Sequence, residues 1–94
     1  MAVKRMLIIH SMDNVGIVLE DVGKGSEAVF RDIRIIAQED IEFAHKIALK
    51  DIAVGEEIIK YGESIGYALK RIRKGEWIHV HNIDCDRARV GRLV

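Results

Sequence analysis

Near the C-terminus, Trp77, His79 and His81 alternate with Ile78, Val80 and Asn82. In extended chain, side chains alternate between faces, so His79 and His81 share one face roughly 7 Å apart while Ile78 and Val80 turn to the core. Two imidazoles at that spacing can share a metal ion or grip one carboxylate or phosphate. Two solvated histidines on an outer strand face fit the same spacing equally well. His45 follows an acidic stretch and suits either a hydrogen-bonded turn or a site. His10 ends an apolar run and is followed by Asp13 and Asn14. Strand ends and their loops are where sites are built on a rigid scaffold. Lys60 and Tyr61 offer an ammonium and a hydroxyl, although an ordinary polar turn explains them as well. Cys85 is the one cysteine, and no second thiol supports a zinc site.

The elements that must hold these residues repeat. Gly25, Gly55 and Gly75 are each preceded at minus six by leucine (Leu19, Leu49, Leu69) and at minus three by Val22, Ile52 or Ile72. At plus three stand Ala28, Ile58 and Ile78. A strand, a glycine turn and a second strand explain the phrase, since glycine takes φ > 0 without steric cost. In the middle copy Ile47 and Leu49 are expected on one face, with Lys46, Ala48 and Lys50 on the other. Asp51 is expected to bond its own turn. Strands are predicted over 3–10, 15–19, 28–30 and 33–36, with a helix over 27–38 as the competitor. One long helix through the middle copy is disfavoured by Gly55, Gly62 and Gly66, each costing about 1 kcal/mol inside it.

With 94 residues and 49% apolar content, the chain can bury one core. Fifteen basic and fifteen acidic residues cancel, which removes the electrostatic case for nucleic acid or an anionic membrane. No apolar run has membrane length and no export signal is visible, so the cytoplasm is the expected compartment. Fifteen isoleucines and nine valines favour strands, making the expected fold class mostly β. Abundant Lys, Arg and Glu with few Asn, Gln and Cys lean towards a heat-adapted source. The expected division is a domain over 1–83 and a polar, Arg-rich tail over 84–94, loose in the isolated chain.

The phrases HSMDNVGIVL, HKIALKDIAVGEEIIKYGESIGYAL and GEWIHVHN resemble the amino-terminal domain of the altronate dehydratase and galactarate dehydratase family. The repeated KDIxxGExI phrase resembles the SAF domain, which implies a compact β-clip fold. The resemblance runs from about Ile9 to Asn82. It implies a hydro-lyase that removes water from a sugar acid to give a 2-keto-3-deoxy acid, with ferrous iron (Fe2+) as cofactor. It also implies a large dehydratase subunit as partner, since the chain looks like the separate small-subunit form and is expected to be inactive alone. A homo-oligomer is possible as well. The small subunit of sulfolactate sulfo-lyase is the runner-up enzyme reading, with the IKYGESIGYAL phrase favouring the sugar-acid side, and a non-catalytic SAF module that binds a ligand or partner is the alternative from another class. Matched position by position, His45, His79 and His81 carry over as catalytic residues, with His79 and His81 on the metal. His10, Asp13, Asn14, Lys46, Lys60, Tyr61 and Asn82 carry over as substrate-binding residues. One departure is Ala44, where the family has glycine, so a different turn is expected there.

Overall fold

The computed structural model describes residues 2–78 and 83–84. Among them there are nine strands and no helix: β1 (Val3–Leu7), β2 (Val15–Val18), β3 (Glu27–Phe30), β4 (Ile33–Ile36), β5 (Lys46–Ala48), β6 (Glu57–Lys60), β7 (Glu63–Ala68), β8 (Trp77–Ile78) and β9 (Ile83–Asp84). Six form one sheet in the order β4-β3-β1-β2-β5-β8, and β6-β7-β9 form the other. Only the β1–β3 pair is parallel among these ladders. The expected mostly-β class is what the chain adopts. The helix competing for 27–38 is absent, because β3 and β4 pair as a hairpin through Arg31, whose φ is 56°.

The repeated phrase is a repeated turn, and it occurs four times rather than three. Gly25, Gly55 and Gly75 have φ of 88°, 83° and 91°, and Ala44 joins them at 74°. In each copy the N–H of that residue crosses to another strand end: to the carbonyls of Ala37, Ala68, Ala48 and Val18 respectively. In each copy the next N–H closes the turn, from Ser26 to Gly23, Glu56 to Ala53, Glu76 to Arg73 and His45 to Glu42. The turns then pair. Val22 bridges Ile41 and Ile52 bridges Ile72, each antiparallel and each fully buried.

Aspartates lock the pairs, but across them rather than within a turn as expected for Asp51. Asp21 accepts from Phe43 N–H and Asp40 from Lys24 N–H, both at 2.8 Å. Asp51 accepts from Lys74 N–H at 2.8 Å, and Arg71 in the fourth position reaches back to Asp51 at 3.9 Å. Glu56 accepts Ala53 N–H at 3.0 Å, and that bond, with Lys50 nearby, lowers its carboxyl pKa. Its contribution is therefore present above the ordinary carboxyl range and is lost as pH falls through the lowered value.

Two cores result. Met6, Val18, Val22, Ala28, Ile35, Ala37, Ile41 and Ile47 fill one, and Val15, Ala48, Ile52, Ile58, Ala68, Ile72 and Ile78 fill the other. Strand β5 runs between them, with Ile47 in the first and Ala48 in the second. Ala48 was expected on the outer face with the lysines. It is buried because the second core, to which Ile52, Ile58 and Ile78 also belong, closes over that side of β5. Ile78 is 1% exposed, as the alternation over 77–82 requires.

The turn at Ala44 keeps the glycine geometry, contrary to the expected difference, because the Val18 carbonyl and the Ile41 bridge impose it. An alanine there has Cβ against a carbonyl, a cost of about 1 kcal/mol that glycine avoids. Ala44 is exposed, so its methyl returns little packing. The variant Ala44→Gly is expected to raise stability by about 1 kcal/mol in urea unfolding, against the usual direction of an Ala-to-Gly change.

Candidate functional site

After β1 ends at Leu7 the chain makes a tight loop before β2. Asp13 N–H donates to the His10 carbonyl at 3.0 Å, and His10 N–H donates to Asp13 Oδ2 at 3.1 Å. Met12 N–H donates to His10 Nδ1 at 3.0 Å. That nitrogen is therefore an acceptor, and the ring proton sits on Nε2. The other Asp13 oxygen takes Gly62 N–H at 2.8 Å, which ties the loop to the β6–β7 hairpin. Tyr61 and Gly62 at the hairpin tip have φ of 58° and 75°, the backbone that two-residue hairpin turns demand. The glycine is needed twice over: a Cβ on Gly62 would lie 2.9–3.0 Å from the His10 ring. The spacing of His10 from Gly62 in the chain gave no sign of this contact. Lys60 Nζ lies 4.8 Å from the Tyr61 ring centre, so ammonium and phenol share the tip.

Asn14 belongs to this loop but presents nothing to solvent, being 5% exposed. Its Nδ2 donates to the Glu57 carbonyl at 2.8 Å, and its Oδ1 accepts Ile59 N–H at 2.7 Å. Its own N–H reaches the Ile59 carbonyl at 3.2 Å. The side chain thus takes the place of a strand residue beside β6 and fixes where the hairpin stands relative to β2.

The carried-over residues separate into two groups. His10, Asp13, Asn14, Lys60 and Tyr61 gather around this loop. His45 lies at the other end of β2, where its carbonyl accepts Val18 N–H. From Asn14 to Val18 is about 13 Å along the strand. The His45 ring stacks on Trp77, centroids 5.3 Å apart and planes at 1°, and its Nδ1 is buried with no hydrogen-bond partner among the described residues. Lys46 follows on β5, half-buried, opposite Ile78. Trp77 is half-buried and packs on the first core. Strand β8 runs antiparallel to β5 and heads towards the His45 end. His79, His81, Asn82 and Cys85 lie outside the described residues, as does the tail over 84–94 from residue 85 onward.

Among the described residues no three His, Cys, Asp or Glu side chains gather as a metal site. His10 offers an N–H, not a lone pair, so it is built to donate a hydrogen bond. The described residues do not by themselves make a ferrous centre.

Residues 4–86 match the altronate/galactarate dehydratase SAF domain. The chain is 43% identical to altronate dehydratase of Escherichia coli over 74 residues, which is 79% of this chain but 15% of that enzyme. It is 43% identical over 79 residues to altronate dehydratase of Bacillus subtilis, covering 84% of this chain and 16% of the enzyme. The chain thus spans less than a fifth of either dehydratase. Against the (2R)-sulfolactate sulfo-lyase subunit alpha of Chromohalobacter salexigens it is 31% identical over 88 residues, covering 85% of this chain and 94% of that subunit. The turns that build both cores and the loop that carries His10 all fall inside the matched span, and the chain belongs to the altronate/galactarate dehydratase SAF-domain family.

Proposed function

We propose that this chain is the small subunit of a cytoplasmic sugar-acid hydro-lyase of the altronate dehydratase kind, completed by a large dehydratase subunit. The observation that carries the reading is the pairing of two similarities: the chain matches one domain of two altronate dehydratases and nearly all of a separate lyase subunit. Dehydration of a sugar acid takes the proton α to the carboxylate and expels the β-hydroxyl. The enediolate between needs positive charge or aimed donors. His10 Nε2–H and the Lys60 ammonium are such donors at one end of the domain, and His45 stands at the other. Ferrous iron, implied by the family resemblance, would draw its ligands from His79 and His81 and from the large subunit; bound there it would stabilise the enediolate charge. A second reading is the sulfo-lyase subunit, in which sulfite leaves instead of water, and the 94% coverage of that subunit favours it.

The variants His79→Ala and His81→Ala, assembled with the large subunit, are expected to lose turnover by about 100-fold or more, as removal of a transition-state stabiliser does. Melting temperature should hold, since surface changes usually stay within about 0.5 kcal/mol. Early melting with turnover per folded molecule intact would make the two histidines structural.

A further inference from the structure

His45 and Trp77 form a parallel stack, with ring centroids 5.3 Å apart and an angle of 1° between the planes. The indole is the fixed member. Trp77 pairs with Ile47 where β8 meets β5, and its backbone N–H donates to Glu39 Oε2 at 3.0 Å. Its ring packs on the first core. The imidazole is held less completely. Its backbone is bonded on both sides: the N–H donates to the Glu42 carbonyl and the carbonyl accepts Val18 N–H, each at 3.0 Å. Its ring Nδ1, however, is buried and meets no hydrogen-bond partner among the described residues. A buried N–H left without an acceptor is rarer than an unused lone pair. The ring proton therefore sits on Nε2, the one nitrogen through which the half-buried ring can bond.

We infer that Trp77 is the positioning residue of His45: the stack holds the imidazole with Nδ1 inward and bare, so that His45 meets a ligand through Nε2–H alone, as a hydrogen-bond donor and not as a base. A histidine that takes a proton commonly has its second nitrogen held by a carboxylate or a carbonyl, which orients the ring and receives the charge. His45 has no such group among the described residues, and a flat apolar face orients it instead. A donor of this kind suits an oxygen on which negative charge develops. The part it plays in turnover rests on the lyase reading, in which the α proton must then leave to another group. The tautomer and the stack stand without that reading.

The test starts from long-range 1H–15N spectra of the full 15N-histidine-labelled chain in alkaline buffer, with His45 assigned by its loss in His45→Gln. The parent chain is expected to show Nε2 protonated and Nδ1 bare. Trp77→Phe keeps a flat ring and should keep that pattern. Trp77→Leu keeps apolar bulk but uncovers the imidazole face, so the proton should divide between the two nitrogens. Assembled with the large subunit, Trp77→Leu should lower kcat about tenfold with KM little changed, and Trp77→Phe should restore most of the loss. His45→Gln still offers an N–H but cannot take a proton; it should retain about a tenth of the turnover, against about a hundredth for His45→Ala. Nδ1 protonated in the parent chain, a folded Trp77→Leu variant with tautomer and turnover unchanged, or His45→Gln as inactive as His45→Ala would overturn the inference. A parent mixture that dehydrates nothing would count against the lyase reading, and the spectra would still decide the stack.

Discussion

Gly75→Ala should cost about 4 kcal/mol or more, while the same change at Gly25 or Gly55 costs about 1–2 kcal/mol. All three glycines occupy the same place in the same turn with φ between 83° and 91°. Backbone strain is therefore common to them and sets the smaller figure. Around Gly25 and Gly55 an added Cβ meets nothing within 4 Å. At Gly75, a buried position, it would run into the Ile36 carbonyl oxygen and come within 3.1 Å of Gln38 Cγ. A carbonyl cannot rotate away as a side chain does. Nor can the two segments part cheaply, since the Gly75 carbonyl accepts Gln38 N–H at 2.8 Å and Gly75 N–H donates to Ala48 at 2.9 Å. Urea unfolding of the three variants side by side checks this. Equal losses at all three positions would mean that the β8 turn does not rest on the end of β4.

Asn14→Ala should cost about 3 kcal/mol. The substitution strands the Ile59 N–H and the Glu57 carbonyl, both of which lose their partner in a partly buried place. An unsatisfied buried group costs about 1–3 kcal/mol, and here there are two. Asn14→Asp keeps the acceptor for Ile59 but sets a carboxylate against the Glu57 carbonyl, so it should also destabilise. The expected signature is a lowered melting temperature, with substrate affinity of the folded fraction little changed. Normal melting with lost affinity would return Asn14 to the role that the family resemblance implies, that of a substrate ligand.

The sequence revealed the strands and the glycine turns because both leave a periodic mark. Leu-x-x-Val/Ile-x-x-Gly at fixed spacing can be read without a structure. The fourth copy escaped notice because Gln38 stands in the leucine position and Ala44 in the glycine position, although Ile41 keeps its place. Its geometry comes from pairing with the Val22 turn, a long-range constraint that local composition does not record. Asp51 was misread for the same reason: a turn aspartate normally serves its own turn, and only the pairing supplies Lys74 N–H instead. Ala48 was misplaced because alternation presumes one wet face, whereas β5 has a core on each side.

The site was readable as residue types but not as geometry. His10 and Asp13 stand together, and Asp13 ties them through Gly62 N–H to the hairpin tip that carries Lys60 and Tyr61. Nothing in the chain order brings His10 onto Gly62. His45 was grouped with them by family position, yet the β2–β5 register holds it at the far end of the strand pair.

The most direct test of the small-subunit reading is turnover of altronate by three samples: this chain, the large dehydratase subunit, and the two mixed, each supplied with ferrous iron. The expected result is release of the 2-keto-3-deoxy acid by the mixture alone, saturating at a fixed ratio of the two chains. Sulfolactate as the only accepted substrate would move the reading to the sulfo-lyase. Full turnover by this chain alone, or by the large subunit without it, would show that the active site is not shared between them.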